Sequence, residues 1–221
     1  MANESNNHHY YSKTQEGLDS NPSQFTFNFM NNKFIFHTDS GVFSKDYIDY
    51  GSFVMLKTFE PNNIDLPILD MGAGYGAIGI TVSKLFDKQV DMCEINERAY
   101  LLNKKNIEQN NANKAFVYHS DLYEEVSNKK YSSIITNPPI RAGKQVVYAI
   151  YDGAYEHLVS GGELWVVIQK KQGAPSSKDH LTELFGNCIV VNKDKGYYIL
   201  KSVKEWCLLI QISFFLLIIY K

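Results

Sequence analysis

Residues 67–80 decide the fold of this chain, and they read Pro-Ile-Leu-Asp-Met-Gly-Ala-Gly-Tyr-Gly-Ala-Ile-Gly-Ile. The apolar run at 67–71 predicts a buried strand, and the second apolar run predicts a helix over 77–86. The glycines between them let the backbone approach a ligand closely, and the start of the helix presents unpaired N–H groups. This stretch therefore predicts a strand, a turn and a helix, with a ligand bound at the turn.

The glycines alone leave the ligand open, because Gly74, Gly76 and Gly79 match the spacing of the dinucleotide fingerprint. Asp70 favours a different adenosine cofactor. A carboxylate close to Gly72 would repel a pyrophosphate, whereas it suits a ligand that carries an ammonium and a sulfonium group. S-adenosylmethionine is such a ligand, and we expect Asp70, Gly72, Gly74 and Gly76 to bind it.

Two further acids follow predicted strands. Glu94 ends the run 89–94, and an acid at the tip of the second strand of such a sheet commonly accepts both ribose hydroxyls. This role fits NAD and S-adenosylmethionine equally well. Asp121 lies at the end of the run 115–122, and we expect it to accept from the adenine amine or else to cap a helix. Asp91, inside the second strand, is expected to be solvated.

The turn at 136–144, Thr-Asn-Pro-Pro-Ile-Arg-Ala-Gly-Lys, follows an apolar run at 131–135 that predicts a fourth strand. Each proline fixes its φ angle and removes an N–H, so the turn is stiff and offers mainly carbonyl oxygens. The side chain of Asn137 adds one more acceptor. Asn137, Pro138 and Pro139 are therefore candidate catalytic residues that grip a planar –NH2 group. The alternative is an ordinary turn that ends a strand.

Apolar strands that alternate with helical segments predict an α/β fold with a doubly wound, mainly parallel sheet. The expected helices are 77–86, 96–110 with Asn96 as N-cap, 144–160 and 178–185. The expected later strands are 163–169 and a closing hairpin of 188–192 and 197–201. A separate N-terminal β-hairpin is expected at 24–30 and 33–37.

Composition divides the chain of 221 residues into three parts. Residues 1–23 are polar and are expected to form a flexible leader that lacks the apolar core of a signal peptide. Residues 24–204 have the length of a single domain with one core, and 24–37 is its hairpin. Residues 205–221 form an apolar tail that is shorter than the roughly 20 residues of a membrane-spanning helix. An artefactual extension, an extra core element and a weak membrane anchor are the open interpretations of this tail.

Cysteine and histidine usage indicates neither disulfides nor a metal site. The three cysteines, Cys93, Cys188 and Cys207, form no disulfide framework or zinc motif, and the six histidines lack metal-ligand spacing. We therefore expect a protein of the reducing cytoplasm that binds no metal.

Charge is distributed unevenly, although the net charge is only −2. Residues 1–128 carry 10 Lys and Arg against 17 Asp and Glu, whereas residues 129–204 carry 11 against 6. Basic residues in the second part follow the ends of predicted strands, where ligands of open α/β sheets bind. The residues expected to contact phosphates of a nucleic acid are Arg141, Lys144, Lys170, Lys171 and Lys178. The alternative is that they are ordinary solvated side chains.

These motifs together resemble the class I S-adenosylmethionine-dependent methyltransferases, and more closely the ribosomal RNA small subunit guanine-N2 methyltransferases of the small-domain type. The resemblance covers about residues 8–204 and includes Ser-Gly-Val-Phe-Ser at 40–44, Gly51-Ser52 and the run 161–173. It implies a seven-stranded Rossmann-like sheet whose last strand is antiparallel. It also implies S-adenosylmethionine as cofactor and ribosomal RNA or the small ribosomal subunit as partner. The chain departs from many amine methyltransferases at Ile140, where they have an aromatic residue that stacks on the target base.

The function implied by this resemblance is methylation of the exocyclic N2 amine of a guanine in 16S ribosomal RNA. The target base would have to leave its stack, and Ile140 would lie near it. Two alternatives stay open. Release-factor glutamine methyltransferases use a similar Asn-Pro-Pro turn on an amide nitrogen, although they usually have Tyr at the position of Ile140. A catalytically idle module that only binds S-adenosylmethionine is the other alternative.

Overall fold

The structure is a computed structural model that describes residues 12–13 and 17–205. Its strands are β1 (Ser23–Phe29), β2 (Asn32–Thr38), β3 (Ile68–Met71), β4 (Val90–Glu94), β5 (Ala115–His119), β6 (Tyr131–Thr136), β7 (Leu158–Gln169), β8 (Ile189–Asp194) and β9 (Tyr197–Val203). Seven of these described strands form one sheet in the order β5-β4-β3-β6-β7-β9-β8. The pairs from β5 to β7 are parallel, and β9 is antiparallel to both neighbours. The predicted doubly wound, mainly parallel sheet is confirmed.

The observed helices match the predicted ones where the sequence pattern is strong. They are α1 (Tyr50–Thr58), α2 (Ala77–Phe86), α3 (Glu97–Gln109), α4 (Lys144–His157) and α5 (Ala174–Phe185). Asn96 caps α3, because its side chain accepts from the Ala99 N–H at 2.9 Å. The prediction of a helix over 144–160 was wrong at its end. Leu158 is the first residue of β7 and pairs with Tyr131, so it is a strand residue.

Helices cover both faces of the sheet and so create two hydrophobic clusters. One cluster contains the hairpin β1–β2 and apolar residues of α1, α2 and α3. The other contains apolar residues of α4 and α5. All residues of β3, β4 and β6 are buried, as expected for parallel strands that are covered on both sides. The central strands are therefore fixed, and their carboxyl ends can position side chains accurately.

The hairpin β1–β2 packs on α3 through two buried asparagines. Asn110 accepts from the Ile35 N–H at 2.9 Å and donates to the Ile35 carbonyl at 2.8 Å. Asn106 accepts from the His37 N–H at 2.7 Å and donates to the carbonyls of His37 and Tyr75 at 3.0 and 2.9 Å. These side chains satisfy the edge of β2 that faces away from β1. Asn106 also connects the hairpin to the glycine-rich loop.

The prediction that Asp91 is solvated was wrong, because its side chain is buried. One of its carboxylate oxygens accepts from Lys129 Nζ at 2.7 Å and from the Tyr131 hydroxyl at 3.1 Å. A buried charge needs such partners. Lys129 lies 38 residues away along the chain, so the pairing was not visible in the local sequence.

In the described part of the leader, whose flexibility stays a prediction, backbone carbonyls accept hydrogen bonds from residues at the start of α3. The carbonyl oxygens of Ser12 and Lys13 accept hydrogen bonds from Asn96 and Glu97. The Leu18 carbonyl accepts from an Arg98 guanidinium N–H at 2.8 Å. Residues 206–221, almost all of the predicted apolar tail, lie outside the described residues. Among the described residues, no helix is long and apolar enough to cross a membrane.

Candidate cofactor and substrate site

A cavity of about 380 Å³ opens at the carboxyl edge of β3, β4 and β6. The strand order changes direction between β3 and β6, which is where open α/β sheets bind ligands. The volume lies within the range of about 300–1,000 Å³ that is usual for small-molecule sites. The predicted site residues that line this cavity are Asp70, Gly72, Gly74, Glu94, Asp121, Asn137, Pro138 and Pro139.

Asp70 is the penultimate residue of β3 and is only 1% exposed. One of its carboxylate oxygens accepts from the Gly79 N–H at 2.8 Å, so the side chain is fixed against the first turn of α2. Burial, with a smaller contribution from the nearby charge of Glu94, raises the pKa of the Asp70 carboxyl to about 7. A cation in the cavity would favour the ionised carboxylate. The position therefore suits a positively charged ligand.

The glycine-rich loop leaves open space beside Asp70. Gly72 and Gly74 have φ angles of +75° and +58°, which other residues rarely adopt, and a Cβ atom at either would meet no atom within 4 Å. Gly76 is the N-cap of α2 and is not among the residues that line the cavity. The loop thus presents bare backbone to the cavity at Gly72 and Gly74, while Gly76 turns the chain into the helix.

Glu94 ends β4 and ties that strand to the glycine-rich loop. Its two carboxylate oxygens accept from the N–H groups of Gly74 at 2.7 Å and Asn96 at 2.8 Å. Burial raises the pKa of the Glu94 carboxyl above its usual value. Each carboxylate oxygen has a second lone pair, so both can accept a further bond from a hydroxyl pair. Glu94 is thus held in one orientation with acceptor capacity to spare.

Asp121 lies at the rim of the same cavity with its side chain exposed. The alternative role as a helix cap is not observed. The 3₁₀ turn Glu124–Val126 begins after Tyr123, and its Glu125 N–H donates to Ser120 Oγ at 3.2 Å rather than to the Asp121 side chain. The exposed carboxylate is therefore available to a ligand.

Asn137 follows β6 and is oriented by the start of α1. Its Nδ2 donates to Asp49 Oδ2 and to Ser52 Oγ, both at 3.0 Å. A carboxylate only accepts hydrogen bonds, so the amide must turn its –NH2 group to Asp49 and its Oδ1 away from it. No hydrogen bond within the described part of the chain occupies that Oδ1. Pro138 and Pro139 line the cavity next to it.

Three cavity residues were missed by the sequence analysis as site residues. Asp49 and Ser52 line the cavity, and Asp49 is also the N-cap of α1, where it accepts from the Ser52 N–H at 3.1 Å. The N-cap pattern before an apolar run is the signal that could have found this helix. Phe43, in the loop between β2 and α1, also lines the cavity and is 41% exposed.

None of the predicted substrate residues is among those that line the cavity. Ile140 packs against the hydrophobic cluster of α4 and α5 and is not among the lining residues. Arg141 and Lys144 are exposed next to the Asn-Pro-Pro turn, and Lys170 and Lys171 are exposed just after β7. Because β6 and β7 are parallel neighbours, these four basic residues follow strands that end at the same edge of the sheet. Lys178 is exposed on α5.

The described residues contain no group of three or more His, Cys, Asp and Glu side chains that could hold a metal ion. The lining of the cavity combines buried carboxylates, bare backbone and apolar side chains such as Ile78 and Ile95. This set of groups fits a cationic adenosine cofactor with an apolar base and a polar ribose. The sheet order and the cavity define the class of Rossmann-like S-adenosylmethionine-dependent methyltransferases.

Residues 33–201 match the family model of the methyltransferase small domain, and the chain belongs to this family. It is 48% identical over 198 residues to the uncharacterized protein YbxB of Bacillus subtilis, covering 89% of this chain and 98% of that protein. It is 29% identical over 169 residues to ribosomal RNA small subunit methyltransferase C of Vibrio cholerae, covering 74% of this chain and 48% of that protein.

Among solved structures, the chain is similar to the T. thermophilus 16S rRNA N2 G1207 methyltransferase in complex with AdoMet and guanosine. The TM-score is 0.76 at 27% identity, and the match covers 86% of this chain and 53% of that one. The chain therefore spans about half the length of the ribosomal RNA methyltransferases that it matches. Family and fold indicate S-adenosylmethionine as the cofactor.

Proposed function

We propose that this protein transfers a methyl group from S-adenosylmethionine to the exocyclic N2 amine of a guanine in 16S ribosomal RNA. The observation that carries the proposal is the position of Asn137. Its Nδ2 is held by Asp49 and Ser52, so its Oδ1 is left as an acceptor in the cavity that Asp70 and Glu94 also line. The similarity to ribosomal RNA methyltransferases supports the choice of substrate.

The cavity residues divide into those for the cofactor and those for the amine. S-adenosylmethionine, when bound, supplies an activated methyl group. We assign Asp70 to balance the positive charge of the cofactor and Glu94 to accept from its ribose hydroxyls. We assign Asp121, at the rim, to accept from an adenine amine, and the bare backbone at Gly72 and Gly74 supports a close approach of the ligand.

In this proposal, the Asn-Pro-Pro turn binds and orients the guanine amine, which is the nucleophile of the reaction. The lone pair of a guanine amine is delocalised into the ring, so the nitrogen is a weak nucleophile until that conjugation is reduced. Asn137 Oδ1 and the Pro138 carbonyl would accept the two N–H bonds of the amine and hold its lone pair toward the methyl group. The same oxygens stabilise the positive charge that develops on nitrogen. The proton leaves to water afterwards, and the scheme requires no strong base.

The base reaches this turn only if it leaves its stack, as in other enzymes that modify bases. We assign the stacking contact to Phe43, because it is the exposed aromatic side chain of the cavity lining. Tyr75 also lines the cavity but is 4% exposed and packs against Phe25 and Phe36. Ile140 supports the turn from the core side, and its predicted contact with the base would be indirect.

The exposed basic residues next to the turn are assigned to the RNA backbone. Arg141 and Lys144 lie directly after the Asn-Pro-Pro turn, and Lys170 and Lys171 follow the neighbouring strand. Such residues neutralise phosphates and fix the register of the RNA without reading its sequence. Lys178, farther along on α5, belongs to the same basic part of the chain.

The proposal is tested with Asn137→Ala. We expect methyl transfer to ribosomal RNA from cells that lack this protein to fall about 100-fold or more, the order expected when a preorganised polar group is lost. Cofactor affinity, measured by calorimetry, should stay close to that of the unchanged protein. Asn113→Ala, an exposed asparagine outside the cavity, is the matched control.

Mass mapping of nucleosides identifies the product. Cells with the protein should contain an N2-methylguanosine in 16S ribosomal RNA that is missing from cells without it. Identical nucleoside maps would overturn the choice of substrate. Transfer to a glutamine side chain of a protein would favour the release-factor type of reaction, and cofactor binding without any transfer would favour an idle module.

A further inference from the structure

The start of α1 and the end of β6 meet at one hydrogen-bonded cluster beside the cavity, although Asp49 and Asn137 are 88 residues apart along the chain. Asp49 Oδ2 accepts from Asn137 Nδ2 at 3.0 Å and from the Ser52 N–H at 3.1 Å. Ser52 Oγ accepts from the same Asn137 Nδ2 at 3.0 Å. Ser52 is buried, and all three residues line the cavity.

Close packing brings these groups together. A Cβ atom at Gly51 would lie 2.7 Å from the Tyr197 ring and 2.9 Å from Asp49 Oδ2. The first turn of α1 can therefore approach β9 only because Gly51 has no side chain. This approach brings the Asp49 carboxylate within hydrogen-bond distance of Asn137. Gly51 thus permits the close packing of α1, and Ser52 supplies a second acceptor for Asn137.

Helix capping alone does not account for an aspartate here. Asn, Asp and Ser cap helices about equally well, and a cap needs only one acceptor. Asp49 uses the same oxygen for the cap and for a side chain from another element. A carboxylate also cannot donate, so it excludes the flipped orientation of the Asn137 amide, in which two oxygens would face each other.

A hydrogen bond to a carboxylate is about twice as strong as one between neutral groups. In a partly buried cluster such as this one, such a bond also polarises the group that donates it. Electron density in the Asn137 amide would therefore shift toward Oδ1. An oxygen with more negative charge is a better acceptor for an amine on which positive charge develops.

We infer that Asp49 is a positioning residue of the methyl-transfer reaction, which holds the Asn137 amide in one orientation and increases the negative charge on its Oδ1. This inference rests on the proposed function, since it assumes that Asn137 Oδ1 binds the reacting amine. Asp49 itself touches Asn137 and Ser52.

The test compares Asp49→Ser, which keeps a cap for α1 but loses the carboxylate, with Asp49→Asn, which keeps the shape but loses the charge. Both variants should fold and bind S-adenosylmethionine with an affinity within about 2-fold of the unchanged protein. We expect kcat on ribosomal RNA from cells lacking the protein to fall about 100-fold in Asp49→Ser and about 10-fold in Asp49→Asn, with KM unchanged. Asp46→Ser removes an exposed carboxylate from the same loop and should leave kcat unchanged.

A second measurement does not depend on the RNA substrate. The side-chain amide resonances of Asn137, assigned by NMR, should move upfield in Asp49→Ser and stay in place in Asp46→Ser. Unmoved resonances, or an unchanged kcat in Asp49→Ser, would overturn the inference. A protein that methylates no ribosomal RNA at all would instead overturn the proposed function, and the resonances would still decide the role of Asp49.

Discussion

Asp70 Oδ2 and the backbone N–H of Gly79 are joined by a hydrogen bond of 2.8 Å, which crosses the base of the glycine-rich loop and ties the tip of β3 to α2. The bond spans nine residues and is buried. This hydrogen bond means that the orientation of the Asp70 carboxylate is fixed by the first turn of α2. The charge of Asp70 and the shape of the loop therefore depend on each other.

The free energy of unfolding should fall as the pH rises from about 4 to about 7. The pKa of the Asp70 carboxyl is about 7 in the folded protein, whereas the ordinary value of an aspartate is 3.8. Between these two pH values the folded state holds a proton that the unfolded state has lost, so the unfolded state gains in relative stability as the pH rises. Asp70→Asn can still accept from Gly79 but does not ionise. At pH 8, without cofactor, this variant should be more stable by roughly 4 kcal/mol, because the two pKa values differ by about three units and each unit corresponds to about 1.4 kcal/mol.

Denaturant titration at several pH values measures this difference. The same variant should bind S-adenosylmethionine at least about 10-fold more weakly at pH 8, since it lacks the negative charge. A variant that is neither more stable nor weaker in cofactor binding would contradict the assignment of Asp70.

Gly79→Ala should lower both stability and cofactor affinity. Its Cβ would lie 2.5 Å from Met92 Sδ and 3.1 Å from Asp70 Oδ2. Overpacking of this kind costs about 1–3 kcal/mol, and relief of the clash would displace Asp70. Gly162→Ala is the matched control, because its Cβ would crowd the Val159 carbonyl at 2.9 Å, away from the cavity.

Thermal unfolding and calorimetry separate the two effects of Gly79→Ala. Both glycine variants should lose stability, and only Gly79→Ala should lose cofactor affinity. Equal cofactor affinity in the two variants would show that the Asp70–Gly79 contact has no part in binding.

The double variant Arg141→Ala/Lys144→Ala should bind ribosomal RNA more weakly, with a smaller dependence on salt. Each phosphate contact contributes about 0.7–0.9 to the slope of log affinity against log salt, so the slope should fall by up to about 2. Filter binding at several salt concentrations measures it. Lys33→Ala/Lys105→Ala removes two exposed lysines from the acidic part of the chain and should leave the slope unchanged.

Phe43→Ala should raise KM for ribosomal RNA about 10-fold or more, because stacking of a base on an aromatic ring contributes about 1–3 kcal/mol. Phe43→Tyr should keep most of the affinity. Phe116→Ala removes a ring of similar exposure from β5, outside the cavity, and is the control. A KM for Phe43→Ala equal to that of the control would exclude the stacking contact.

The parts of the fold that were predictable are those with strong local patterns. The helix over 77–86 has the predicted bounds, and the helix predicted over 96–110 is one residue shorter at each end, because glycine and asparagine mark the two starts. The helix α1 was missed for a physical reason. It is apolar on nearly all sides, with Val54, Met55 and Leu56 buried in succession, so it has no amphipathic pattern. Helix α5 begins earlier than predicted, since Pro175 lies in its first turn and does not interrupt it.

The candidate site was partly predictable for a related reason. Asp70, Glu94 and Asn137 each lie at the carboxyl end of an apolar strand, and parallel strands bring such residues to one edge of the sheet. Asp49 and Phe43 come from the loop between β2 and α1. Tertiary contacts, not a strand end, bring this loop to the cavity. The burial of Asp91 depends on Lys129 in the same way. Neither kind of contact has a signal in the local sequence.

The asparagine bonds between α3 and the hairpin also support the glycine-rich loop from outside the cavity. Asn106 donates to the carbonyls of both His37 and Tyr75, so a change at this side chain would leave backbone groups of the hairpin and of the loop without a partner, at a cost of about 1–3 kcal/mol for each group left buried and unpaired. The geometry of the loop therefore depends partly on a hairpin that contributes no residue to the cavity lining.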